Sequence, residues 1–149
     1  MKKRNILLAT FALALVLLAS PRTQAQCDVQ MYTQTCVQKL KQLGGFQFLK
    51  SYKVDGQKGS QKTIEYSYVF SRGTTYLITF ANSDKEGNGI KFTLLDGQKR
   101  PITTNYDNTK KSFLPAVQLK CQRTGMYYLS YTFEGTTDYC AASVIGFKR

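Results

Sequence analysis

Cys27, Cys36, Cys121 and Cys140 stand in a chain of 149 residues that contains no histidine. Without an imidazole base, Ser-His-Asp and Cys-His nucleophile systems are excluded. No C-x-x-C pair occurs, so a zinc site would need all four thiolates at unusual spacings, and disulfides are expected instead. Two carboxylate pairs remain for acid-base work, Asp84 with Glu86 and Glu134 with Asp138. Both lie in turn sequence, where carboxylates ordinarily serve the backbone. The run from Asp84 to Gly89 puts oxygen donors at alternate positions and glycine sixth, as a calcium loop begins. Asp84, Glu86 and Asn88 are therefore the metal candidates. Leu95 stands where the closing bidentate carboxylate belongs, and a β-turn at Asn88-Gly89 accounts for the same residues. No cofactor, no catalytic activity and no deep pocket lined by two carboxylates are expected.

Binding surfaces are the other chemistry on offer. Ten Tyr and nine Phe are present, and Tyr127, Tyr128, Tyr131 and Phe133 place rings on both faces of one strand. Inward rings are core; outward tyrosines could stack on sugar rings, although the chain lacks Trp. Lys and Arg number 21 against nine Asp and Glu. That excess favours acidic partners in general, while the spread of the positive residues singly or in pairs, as at Lys110-Lys111 and Lys148-Arg149, argues against nucleic acid.

The elements that carry these residues follow from patterning. Lys2, Lys3 and Arg4 precede an apolar run over residues 6–19 and the small-residue context Thr23-Gln24-Ala25, which predicts a signal peptide over residues 1–25. The run is shorter than the roughly 18 residues of a membrane span, so no transmembrane segment is expected. Cleavage after Ala25 removes Lys2, Lys3, Arg4 and Arg22 and leaves 17 basic against nine acidic residues, a net +8. All four cysteines would then enter an oxidising compartment, secreted or periplasmic.

Behind Asp28, a cap residue, Val29, Tyr32, Cys36, Leu40 and Leu43 form one apolar helical face closed by Gly44-Gly45. A helix is expected within 26–45. Beyond it the period changes to two. Phe46, Phe48, Tyr52 and Val54 read as one face, then Ile64 to Phe70 and Tyr76 to Phe80. Further strands are expected over 90–95, around Ile102, and over 116–121, 126–133 and 139–147. About eight short antiparallel strands over 46–149 predict a mostly β, jelly-roll-like sandwich, in one domain with the helix. Nine residues of continuous helix separate Cys27 from Cys36 by about 13.5 Å, too far for a bridge. If their strands are neighbours in one sheet, Cys121 and Cys140 sit some 20 Å apart. Two disulfides joining helix to sandwich are the favoured arrangement, with partners unassigned.

The stretch over residues 66–147 resembles the bacterial pre-peptidase C-terminal domain and related small secreted jelly rolls. The likeness lies in Tyr66-Ser67-Tyr68-Val69-Phe70-Ser71-Arg72-Gly73-Thr74-Thr75-Tyr76, then Phe92-Thr93-Leu94-Leu95-Asp96, then the hairpin from Thr124 to Tyr131. The resemblance implies a noncatalytic module, in some members with calcium held by a D-x-D element that this chain lacks. With no peptidase in front of it, the chain looks more like free-standing small exported proteins of Gram-negative bacteria. An envelope protein is the expected partner, or a structural role; an anionic envelope or extracellular glycan is the alternative.

Overall fold

The computed structural model describes residues 27–149; the leader reading lies outside them. Among the described residues there is one α-helix, α1 (Gln30–Gln42), and ten strands: β1 (Gln47–Asp55), β2 (Thr63–Phe70), β3 (Thr75–Ala81), β4 (Ile90–Leu95), β5 (Pro101–Thr104), β6 (Tyr106–Asp107), β7 (Ser112–Phe113), β8 (Ala116–Lys120), β9 (Gly125–Phe133) and β10 (Cys140–Lys148). Two four-stranded antiparallel sheets, ordered β1-β10-β3-β8 and β2-β9-β4-β5, pack face to face. Each sheet interleaves strands from both halves of the chain, an order of the kind jelly rolls have. The two strands beyond the expected eight are the short hairpin β6-β7, held by Tyr106 against Phe113 at 5.0 Å. Two residues are too few for an alternating pattern to register.

Alternation along each strand divides two cores. Tyr76, Ile78 and Phe80 of β3 face Phe70, Phe92, Leu129 and Tyr131 between the sheets. Leu77, Ala81, Ala142 and Val144 point the other way and meet Cys36, Leu40 and Phe46 under α1. The helix can lie close because residue 146 is glycine: a Cβ there would fall 2.7 Å from Leu40 Cδ2 and 3.1 Å from the Gln47 carbonyl oxygen. Lys39 also reaches sideways to the loop after β3, donating to the carbonyls of Phe80 (3.1 Å) and Lys85 (2.6 Å).

The structure corrects three expectations here. Leu43 leaves the helical face and is 49% exposed, while Val37 packs in its place. A register shift between Phe48 and Lys50 breaks the predicted face of β1, so Phe46 joins the helix core, Phe48 is exposed, and Tyr52 and Val54 turn inward. One disulfide forms, not two: Cys27 bonds Cys140, with their Cα atoms 5.3 Å apart, while Cys36 and Cys121 are free buried thiols. The physical reason is the sheet between those two thiols. Cys36 lies on its helix side, against the Ala142 carbonyl at 3.6 Å, and Cys121 lies between the sheets near the Tyr127 hydroxyl at 3.7 Å.

Candidate functional site

The disulfide end of the sandwich carries an open groove of about 1010 Å³ between the start of α1 and the β1-β2 loop. Tyr32, Lys53, Asp55, Lys58 and Tyr139 line it beside the Cys27–Cys140 bridge. Gln57, Lys58 and Gly59 adopt successive positive φ values of 48°, 58° and 89°. Side chains rarely tolerate that conformation, and local bonds hold it: Gln57 N–H to Asp55 Oδ1 at 2.9 Å and Gly59 N–H to the Gly56 carbonyl at 2.8 Å. Gly59 fits under the Tyr139 ring, where a Cβ would approach Cζ to 2.9 Å.

Asp28 and Asp55 both lie on this groove, which is open rather than the deep two-carboxylate pocket that the sequence expects to be absent. Their environment assigns them to the backbone. Asp55 is held below the ordinary carboxylate range, first by the Gln57 N–H and then by Lys53, whose Nζ stands 3.0 Å away. Asp28 Oδ1 accepts the Gln30 N–H at 3.0 Å, and the formal cap position falls to Val29. Burial, then Asp138 and Asp28, push the Tyr32 hydroxyl upward, which keeps it neutral. A general acid working near neutrality needs a carboxyl raised toward pH 7, and Asp55 is shifted the opposite way.

A smaller hollow of about 310 Å³ at the same end brings together Asp84, Glu134 and Asp138, which the sequence had divided into two pairs. Asp84 Oδ1 accepts the N–H groups of Glu86 (2.8 Å) and Gly87 (3.0 Å). Asp138 accepts from Ser83 through both its N–H and its hydroxyl, and from the Cys140 N–H. Glu134 pairs with Lys91 at 3.1 Å and Glu86 with Lys39 at 3.6 Å. The Asn88 carbonyl accepts from Asn82 at 2.9 Å. Among the described residues no group of three or more Cys, Asp or Glu is placed to hold a metal ion. Asp84, Glu86 and Asn88 thus serve the turn after β3.

The aromatic row of β9 goes mostly inward. Tyr127 and Tyr131 are buried, and Phe133 meets Tyr139 edge-on at 5.5 Å. Outward-facing Tyr128 is covered by Lys99, whose Nζ stands 3.3 Å from the ring centroid. Coplanar exposed rings along a groove, the arrangement that suits a sugar, do not result from this row.

The opposite end differs in charge. The β2-β3 turn and the β8-β9 turn lock together through Arg72 N–H to Thr124 Oγ1, Gly73 N–H to the Cys121 carbonyl and Cys121 N–H to the Thr74 carbonyl, all at 2.9 Å. Arg72 and Arg123 are thereby set on adjoining turns. On the helix-side face, Lys120 and Lys148 flank Thr75 in register, and Arg149 follows. These five cations are exposed, and none has a carboxylate within ion-pair distance among the described residues. The acid here, Asp96, is gripped by Arg100 at 2.7 Å. Six of the nine acidic residues, Asp28, Asp55, Asp84, Glu86, Glu134 and Asp138, gather instead around the groove end. Sequence reading missed this because the cations are scattered along the chain. The signal lay in the gaps between expected strands: Arg72 falls between residues 70 and 76 and Arg123 between 121 and 126, and these connections become neighbours once β2 pairs with β9.

No family model and no curated protein matches the chain's sequence. Solved structures similar to it include PliG of Aeromonas hydrophila, a periplasmic inhibitor of g-type lysozyme, at 16% identity and a TM-score of 0.44, covering 66% of this chain and 82% of that one. The pre-peptidase C-terminal domain of a collagenase from Bacillus anthracis is similar at 13% identity and a TM-score of 0.42, covering 66% and 89%. Identities and scores at this level transfer neither protein's role. Among the described residues no helix is long and apolar enough to cross a membrane.

Proposed function

We propose that this chain is a noncatalytic exported module that binds an acidic partner protein of the cell envelope through its basic end. The observation that carries the reading is the imbalance of charge: five exposed cations without carboxylate partners at one end, against six carboxylates set among Lys39, Lys53, Lys58 and Lys91 at the other. An uncompensated cluster steers an acidic surface into one orientation and rejects basic ones. Export rests on the leader pattern of residues 1–25 and on the Cys27–Cys140 bridge, a bond that persists in oxidising compartments. The lack of histidine and the commitment of the groove-end carboxylates to backbone and lysine bonds support a role without turnover. A glycan partner has weaker support, since Tyr128 is capped by Lys99.

The test is a pull-down from the envelope fraction beside a glycan array, each at two salt concentrations. An acidic protein should be retained at low salt and released at high salt. Arg72→Glu with Arg123→Glu should abolish retention, while Lys58→Glu with Lys62→Glu should leave it. Saturable, salt-insensitive binding to a neutral oligosaccharide would overturn the reading.

A further inference from the structure

Immediately inside the two arginine turns, the outer face of the second sheet presents a pair of exposed apolar side chains. Val69 of β2 and Met126 of β9 stand directly opposite each other in register and are 55% and 49% exposed. Directly paired residues project to the same face, so the two form one contiguous apolar spot. Arg72 follows Val69 by three residues and Arg123 precedes Met126 by three. On the inner side of the spot lies Tyr128 under Lys99, and Lys99 is itself ion-paired to Glu65. Resting on the acidic-partner reading above, we propose that Val69 and Met126 are the anchor of that interface, taking an apolar side chain of the partner that is flanked by carboxylates.

Charge complementarity selects this occupant. A small desolvated apolar centre ringed by charged groups is the usual anatomy of a protein contact, with the centre supplying affinity and the ring supplying orientation. A second copy docked face to face would bring two surfaces of the same positive sign together, and the groove-end carboxylates that a head-to-tail copy would offer are already engaged by backbone N–H groups and lysines. An anionic membrane is disfavoured by the position of the pair within paired strands rather than on a protruding loop that could insert between lipids.

The probe is a synthetic peptide of Glu and Asp with one central Phe, alongside a twin with Ser in place of Phe. Titrated into the isotope-labelled protein, the Phe peptide should shift the amide signals of Val69, Met126, Arg72 and Arg123. Val69→Ser with Met126→Ser changes only exposed positions and should weaken its binding about tenfold with an unchanged salt dependence. The Ser twin should bind wild type about as weakly, and the double variant should cost it nothing further. Salt-dependent binding of both peptides that ignores Val69 and Met126 would overturn this inference while leaving the acidic-partner reading standing. Binding of neither peptide at low salt would overturn both. Equal dependence on Val69 and Met126 for anionic phosphatidylglycerol vesicles, with no preference for the Phe peptide, would assign the spot to membrane instead.

Discussion

Tyr52 and Tyr131 are both buried tyrosines between the sheets, and the same substitution should act on them oppositely. The Tyr131 hydroxyl bonds the Ser143 hydroxyl at 2.9 Å, joining one sheet to the other. Tyr131→Phe should cost about 1 to 2 kcal/mol in urea unfolding, because Ser143 is left buried without its partner. The Tyr52 hydroxyl has no hydrogen-bond partner among the described residues, and burial pushes its ionisation up to about 12. Tyr52→Phe should therefore be neutral or stabilising, and a loss of more than about 1 kcal/mol would contradict the geometry. The thiols give a second measurement at this scale. Burial pushes Cys36 up to about 11 and Cys121 is 2% exposed, so both should resist iodoacetamide at pH 8 in the native protein. In guanidinium without reductant, mass spectrometry should count two labels per chain; zero would restore the second disulfide.

At the scale of elements, the contact between α1 and the sheet rests on one missing methyl group. Gly146→Ala would drive a Cβ against Leu40 and the Gln47 carbonyl, and should destabilise the protein by about 1 to 3 kcal/mol. Leu40→Ala alone removes a side chain that is 1% exposed and should cost about 2 to 5 kcal/mol. Combined, the two should cost less than their sum, since the smaller residue at 40 makes room at 146. Most of this architecture was legible in the sequence. Helix spacing located Cys36 and Leu40, and the alternating rows of β2, β3 and β9 were read as strands because period two survives wherever one face is buried. What escaped were features set by tertiary context: the β1 bulge that turned Phe48 outward, the β6-β7 hairpin, and the sheet that stands between Cys36 and Cys121. The basic end escaped for the same reason, because a charge cluster built from separate turns has no linear signature.

Over the whole molecule, stability should form a plateau with pH and fall on both sides. Asp55, Asp96 and Asp107 are held below the ordinary value of 3.8, mainly by backbone N–H groups, so their folded form contributes stability above that value and loses it as pH drops through the lowered one. Cys36 is raised from 9.0 to about 11, so its contribution is complete below 9 and disappears as pH climbs toward 11. Urea midpoints measured across pH should show both limbs; Asp55→Asn should soften the acid limb and Cys36→Ala the alkaline one. An alkaline limb that survives Cys36→Ala unchanged would mean that other groups govern it. The Cys27–Cys140 bridge has one more consequence, a mechanical one. It ties the chain just ahead of α1 to the first residue of the last strand. Tension applied between residue 27 and the C-terminus would run through the sulfurs and along β10 alone. The chain between the two cysteines, whose sequence separation is 113, would bear no load, and the tether could reach no further than roughly 35 Å from the bridge, a length that the extended β10 already nearly spans. A partner pulling on either end of this module would meet a short, stiff link rather than an unravelling domain.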